Sequence, residues 1–418
     1  MHVELPYGQG TVTLGVPDDT FIARPRQAPP LPDLESPIRE AVRRPIGTER
    51  LSRLALGKGD AVIVINDATR PAPSEVMLRV LLEELSDAGI PDEKIQVVIA
   101  CGNHRPATPE EIRAMTGRDL AERLAVSNHV ATDRENLVRV GSTSTGTPVW
   151  VNRLVARASV KILTGLIAPH HSAGYSGGRK SLIPGVAGIE TLKAHHSFPI
   201  RQYEPVCGRL AGNPFHEEAV RIARTVGVDF ILNVVQDGDG AILGAVAGDL
   251  EQAHEAGVRL GSDYWDLPLP SRFPIVVASP GGHPRDIDLH QAQKALSTAE
   301  MAVSPGGVLV LVAQCREGLG KWKAAWLREA DHPRDVIRRF RQEGFTEGHT
   351  SKDFMLARAL CRHRVIVFSD LPPKTAGQLF LTPAPSAQEA VDLALEWQPR
   401  GPVLILSKAV NLIPRIAP

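Results

Sequence analysis

Cysteine is scarce in this sequence. The four present, Cys101, Cys207, Cys315 and Cys361, lie too far apart for a Cys-x-x-Cys zinc or redox motif and are too few for a disulfide scaffold. They read as buried thiols, the usual state of free cysteine. Net charge is missing too, since 47 Lys and Arg balance 47 Asp and Glu. That removes the electrostatic case for a nucleic-acid partner or an anionic membrane surface. No apolar run reaches the length needed to span a bilayer. Residues 1–10 lack the apolar core of a signal peptide. The expectation is a cytoplasmic protein. There is no internal repeat. The 34 prolines and 36 glycines are spread along the chain and mark many turns rather than one low-complexity tract.

What is present suits a soluble globular protein, 43% hydrophobic and 22% charged. At 418 residues the chain has room for two domains, each with its own core. Residues 1–20 alternate around Gly8, Gly10 and Gly15 and predict a small hairpin. A proline-rich arm follows from Pro25 to Pro37, and then a helical stretch from Ile38 to Leu56, interrupted at Pro45. Short β-branched runs bounded by turn residues predict buried parallel strands at Asp60 to Asn66, Ile95 to Ala100, Val160 to Ile167 and Phe230 to Val235. Ser74 stands where it would cap a helix from Glu75 to Ala88. Thr108, Pro109, Glu110 and Glu111 read as an N-cap, a first-turn proline and first-turn acids. Helices are also expected at Ile189 to His196 and Leu250 to Leu260. Three prolines from Pro268 to Pro274 suggest a linker. Beyond it the pattern restarts with strands at Ile275 to Ala278, Val308 to Ala313, Val365 to Phe368 and Val403 to Leu406, and a helix from Asp286 to Met301. The expected fold is α/β, with two α/β domains, 1–270 and 271–418, largely parallel sheets, and an active site in the cleft between the domains.

The polar residues gather after the strands. Asp67 and Arg70 follow the first, His104 the second, and His170 with Lys180 the third. In open parallel sheets ligands bind outside the carboxyl ends of strands, so three such ends predict one crevice. The richest stretch runs from Pro169 to Ser181 and holds two histidines, three glycines, Arg179 and Lys180. Glycines let backbone N–H groups approach an anion, and cations neutralise it. The stretch reads as a phosphate or nucleotide cradle with an amine inside, although Arg179 stands where a P-loop needs its second glycine. Imidazole takes and returns a proton near neutral pH, so His104 and His170 suit the two bases of a racemase. Arg70 and Lys294 suit a substrate carboxylate. Asp67 suits an orienting role toward Arg70 or a histidine, a ribose contact, or a turn. His195 and His196 are adjacent, so on a helix they point roughly 100° apart and do not chelate together.

Four elements, in order, resemble the lactate racemase family, enzymes built on a nickel-pincer nucleotide. They are Asp67-Ala68-Thr69-Arg70-Pro71-Ala72-Pro73, Gly102-Asn103-His104-Arg105-Pro106, the loop from His170 to Lys180, and Gln291-Ala292-Gln293-Lys294-Ala295-Leu296. The resemblance covers nearly the whole chain. It implies a nickel-pincer nucleotide covalently linked to Lys180, with His196 as the one protein ligand to nickel. It implies His104 and His170 as the acid/base pair and Arg70, Gln291 and Lys294 as contacts to the substrate carboxylate and hydroxyl. Asp67 would support the cofactor or Arg70. Ser172, Gly174, Ser176, Gly177 and Gly178 would hold the nucleotide phosphate. The implied reaction is racemisation or epimerisation of a 2-hydroxy acid by proton-coupled hydride transfer, with cofactor-building proteins as transient partners. His290, beside Gln291, and Phe354, on a downstream helix, are the positions expected to line the side-chain pocket. A polar His290 favours an acid larger than lactate, such as a sugar acid. The competing readings are a non-catalytic phosphosugar- or nucleotide-binding protein that uses the glycine loop, and a zinc hydrolase, for which no second histidine stands at i+4.

Overall fold

The computed structural model describes residues 1–346, 350–399 and 401–417. Each of the expected β-branched runs becomes a strand, and the strands form two six-stranded sheets. In the first, Ile242–Gly248, Phe230–Gln236, Val160–Ile167, Ala61–Asn66, Ile95–Ala100 and Ala125–Asn128 lie side by side in that order. All neighbours are parallel except Ile242–Gly248, which returns antiparallel along Phe230–Gln236. Successive side chains of a strand point to opposite faces, so both faces need cover. Ile63, Ile65, Val97 and Ile99 pack toward the helices Glu35–Arg43 and Ser74–Asp87. Val62, Val64, Val98 and Leu163 pack toward the helix Pro214–Val226.

The second sheet is parallel throughout, in the order Thr382–Pro383, Arg364–Phe368, Val303–Val312, Phe273–Ala278, Val403–Leu406 and Phe21–Ala23. Val276, Leu309 and Leu311 face the helices Lys294–Ala302 and Thr350–Arg362. Ile275, Val277 and Val310 face the helix Ala387–Trp397 and the N-terminal hairpin. Each half is therefore an α/β/α sandwich.

The division at residue 270 needs correction at both ends of the chain. The hairpin His2–Tyr7 with Gly10–Gly15 buries Val3, Leu5 and Leu14 in the second core. Phe21–Ala23 adds an edge strand beside Val403–Leu406. At the other end, Ile413–Ile416 pairs in parallel with Asp266–Leu269, and Ile413 packs against Tyr175 and Trp265. The stretch expected as a linker is thus partly strand, since Phe273–Ala278 begins soon after Asp266–Leu269 ends.

Local departures are small. Pro73, not Ser74, stands at the N-cap, because the backbone already turns at Pro73 and Ser74 is the first helical residue. Thr108 does cap its helix, in a reciprocal box with Glu111. The helix expected from Asp286 to Met301 divides into Leu289–Ala292 and Lys294–Ala302, with Asp288 capping the first piece. Cys361 is half-buried, the other three thiols fully so. Among the described residues no helix is long and apolar enough to cross a membrane.

Helix Thr350–Arg362 is tied to helix Lys294–Ala302 by a buried ion pair. Arg358 Nε donates to Glu300 Oε1 at 3.1 Å, and the two side chains are 4% and 1% exposed. Burial pushes the Glu300 carboxyl up, and Arg358 pulls it back. Removing one member of such a pair strands a charge. Arg358→Met is expected to cost about 3–5 kcal/mol in chemical denaturation. The double variant Arg358→Met with Glu300→Met is expected to recover most of that loss.

Candidate active site

Strands Ala61–Asn66 and Val160–Ile167 are adjacent, and the chain winds away from them in opposite directions. That is a topological switch point, where the loops leaving the carboxyl ends part and open a crevice. A cleft of about 520 Å³ sits there, lined by both halves of the molecule. Asp67, Arg70, His104, His170, Ser176, Gly177, Lys180 and His196 reach it from the first half, and Gln291 and Lys294 from the second.

Asp67 is buried at the end of its strand. Its Oδ2 accepts a hydrogen bond from His104 Nδ1 at 2.6 Å, and its Oδ1 accepts one from Thr69 Oγ1 at 2.8 Å. Burial pushes this carboxyl up, but the bonds from His104 and Thr69 prevail and hold it below the usual range. With Nδ1–H committed to a carboxylate, His104 presents Nε2 as a lone pair on the exposed rim of the cleft. Asp67 thus bonds His104, the histidine partner among those its position suggested, and its charge also reaches Arg70.

His170 is held the other way round. Its Nδ1 accepts from the backbone N–H of Ser172 at 3.2 Å and of Ala173 at 3.1 Å. A nitrogen receiving two amide protons carries none of its own, so the hydrogen sits on Nε2. Burial, then Lys180, holds the ring well below its ordinary pKa, which favours its uncharged form.

The glycine loop is closed rather than open. Gly174 (φ 74°) and Gly177 (φ 76°) turn the chain where a Cβ would overlap the Arg209 carbonyl and Asn233 respectively. Arg179 is fully buried inside the loop, donating to the carbonyls of Ala173 at 2.7 Å and Tyr175 at 2.9 Å. The Gly178 N–H donates to Asn233 at 2.6 Å. Ser172 Oγ accepts from Arg201 at 2.8 Å, and Ser176 Oγ donates to the Leu166 carbonyl at 2.9 Å. Ser172, Gly174 and Gly178 do not line the cleft. The side-chain hydroxyls of Ser172 and Ser176 are bonded within the protein, while Ser176 and Gly177, two of the residues expected at the phosphate, line the cleft.

Lys180 follows in the short turn Gly178–Ser181, with its Nζ 6.0 Å from the centre of the Phe215 ring. Burial, then the charges of Arg70, Arg179, Arg201 and Lys294, pushes its amine well below its ordinary pKa. Lowering an amine's pKa favours its nucleophilic form. His196 ends the helix Ile189–His196, its Nδ1 donating to the Leu192 carbonyl at 3.1 Å. That leaves Nε2 as the lone pair, the arrangement a metal-binding histidine adopts. His195 instead turns its Nε2 to the Phe215 carbonyl at 2.8 Å and is absent from the cleft lining. Among the described residues no three His, Cys, Asp or Glu side chains are grouped to hold a metal. A metal at His196 would need most of its donors from a bound group.

On the facing wall the Gln291 side-chain oxygen accepts from Lys294, and burial followed by Arg70 pushes the Lys294 amine down to about 8. His290 lines the cleft, as expected. Phe354 does not. It is buried, stacked on Phe340 with ring centres 4.5 Å apart, because a helix position inward of the cleft meets core. Lys352 reaches the cleft from that helix instead. Arg201 and Lys352 belong to no motif, and nothing in the sequence singled them out.

In protein free of cofactor, Lys180 is expected to undergo reductive methylation at neutral pH ahead of the surface lysines, as read by peptide mapping. Asp67→Asn tests the dyad through stability. The Asp67 carboxyl is depressed in the folded protein, so its contribution is present above the unfolded pKa near 4 and is lost as pH falls through the folded value. The stability gap between wild type and variant is expected at neutral pH and should close in acid.

The description "Lactate racemase N-terminal domain" matches residues 7–206, and "Lactate racemase C-terminal domain" matches residues 270–413. The lactate racemases of Thermoanaerobacterium thermosaccharolyticum and Lactiplantibacillus plantarum are each 33% identical over 404 residues, 94% of this chain and 94% of theirs. The solved structure of the lactate racemase apoprotein from Thermoanaerobacterium thermosaccharolyticum superposes with a TM-score of 0.90 at 32% identity, over 99% of this chain and 100% of that one. A Thermotoga maritima protein superposes at 0.67 with 19% identity and shares the fold. The chain belongs to the lactate racemase family.

Proposed function

We propose that this protein is a racemase or epimerase of a 2-hydroxy acid that works with a nickel-pincer nucleotide. The observation that carries this reading is the pairing in one cleft of the half-buried Lys180 amine, held well below its ordinary pKa, with the Nε2 of His196. The residues fit the group: Lys180 would hold it covalently, and His196 would supply the protein's ligand to its metal. When bound, the cofactor would supply the acceptor for the C2 hydride, a hydrogen that imidazole is too weak a base to remove as a proton.

The chain's own residues do the rest. Arg70 and Lys294 bind the substrate carboxylate, and Gln291, already bonded to Lys294, orients the hydroxyl end. His104 takes the hydroxyl proton at Nε2, and Asp67 stabilises the imidazolium that forms. His170 meets the substrate oxygen from another side as a hydrogen-bond donor through Nε2–H. Membership of the family, and the two racemases that align along 94% of the chain, support an isomerase.

The test is co-production with the enzymes that build the pincer nucleotide. Intact mass is expected to show a nucleotide-sized adduct mapping to Lys180 and absent from Lys180→Ala, with about one nickel per chain. His104→Ala and His170→Ala are expected to keep the adduct while losing about 10²- to 10⁴-fold in turnover. Absence of both adduct and nickel, where a known lactate racemase acquires them, would turn the reading toward a phosphosugar- or nucleotide-binding protein.

A further inference from the structure

One histidine of the glycine loop has no part in the reaction so far. His171 follows His170 directly and lines the same cleft. Its ring lies on the His170 ring, with centres 4.5 Å apart and planes inclined by 23°.

The back edge of the His171 ring is fixed by a short relay. Ser172 Oγ stands 2.7 Å from His171 Nδ1 and accepts from Arg201 Nη1 at 2.8 Å. Arg201 is itself held in place, 7% exposed, with its guanidinium 5.2 Å from the centre of the Phe215 ring. A guanidinium only donates, and Ser172 is 4% exposed. Among the described residues, His171 Nδ1 is thus the acceptor left for the serine hydrogen. The opposite tautomer would leave a buried O–H unpaired, at a cost in free energy. Nδ1 therefore accepts, and the ring hydrogen sits on Nε2.

That Nε2–H bonds no described residue, and the side chain faces the cleft. Burial, then the charges of Lys352, Arg201, Lys294 and Lys180, holds the ring well below its ordinary pKa, which favours its uncharged form. His171 is an uncharged donor among cations.

The two stacked rings are set alike, each with Nδ1 turned to the loop and N–H on Nε2. In the racemase reading His170 meets the oxygen on the reacting carbon. A donor on the neighbouring ring stands beside the next group along the substrate. On one side of the reacting carbon that group is the carboxylate, which Arg70 and Lys294 take. On the other it is the substituent on C3. Anions in this cleft have lysine and arginine to meet, so an uncharged N–H suits an uncharged oxygen.

We propose that His171 is a specificity-determining residue that donates from Nε2 to a hydroxyl on C3, and that the substrate is a 2,3-dihydroxy acid. This rests on the racemase reading and narrows it to the class that includes the sugar acids. Ser172 and Arg201 are positioning residues that set the His171 tautomer.

The experiment uses holoenzyme made with the cofactor-building enzymes and compares racemisation of glycerate and lactate, which differ by one oxygen on C3. Glycerate is expected to exceed lactate in kcat/KM by about tenfold or more, since a site built to bond a hydroxyl rejects the analogue lacking it. His171→Phe keeps a ring on His170 and removes the N–H. It should lower the glycerate-to-lactate ratio about tenfold, chiefly through KM for glycerate, and His171→Gln, which restores a side-chain N–H, should retain part of it. A wild-type preference for lactate, or a ratio unmoved by His171→Phe, would overturn the proposal. So would loss of the Lys180 adduct or of nickel in His171→Phe, since the N–H would then serve the cofactor. Failure of the racemase reading looks different, because neither acid is then turned over. In that event, calorimetric binding of glycerate against lactate to the same protein decides the contact. A glycerate preference lost in His171→Phe supports it, and equal binding of the two acids, or a preference the variant keeps, overturns it. His171→Leu serves for both measurements if the phenylalanine variant does not fold.

Discussion

An excess of positive charge in one cleft governs this molecule. Arg70, Lys180, Arg201, Lys294 and Lys352 converge from two sandwiches on one cleft, and the acids nearby are engaged elsewhere. Side chains in that position either shed protons or wait for an anion. Lys180, Lys294 and Lys352 are pushed down, and the Arg201 guanidinium falls to about 9, each chiefly by burial. The apolar layers on both faces of each sheet keep these groups in place despite their mutual repulsion.

The same imbalance sorts the histidines. His104 has a carboxylate behind it and stands at the rim, so it is equipped to accept a proton and carry the charge. His170 has only amide protons behind it and cations around it, so a charged ring there is disfavoured. His196 leans on a helix carbonyl and offers a lone pair. One side-chain type thus takes three roles, set by what each ring's other nitrogen touches.

Much of this was legible from residues alone. The runs Ile95–Ala100, Val160–Ile167 and Val403–Leu406 are strands with the bounds their β-branched composition suggested. The convergence of Asp67, His104 and Lys180 followed from strand-end logic. What was harder to read was the direction of particular side chains. Arg179, one of the two cations in the glycine loop, points inward and bonds the loop's own carbonyls. Phe354 and Lys352 are two residues apart on one helix, and spacing alone did not say which would face the cleft. The place of Phe21–Ala23 beside Val403–Leu406 was hidden because an edge strand of three residues has no periodicity to read.

That last pairing has a consequence for how the protein is made. Phe21–Ala23 leaves the ribosome long before its partner strand. The first sandwich can bury its core while translation continues, since domains generally fold as units during synthesis. The opening hairpin and edge strand must meanwhile stay unsatisfied, and the second sheet closes across almost the full length of the chain. Such non-local pairing is slow to form. The half that carries Gln291, Lys294 and Lys352 is therefore the later to mature, and the cleft comes into being only when these two distant segments meet.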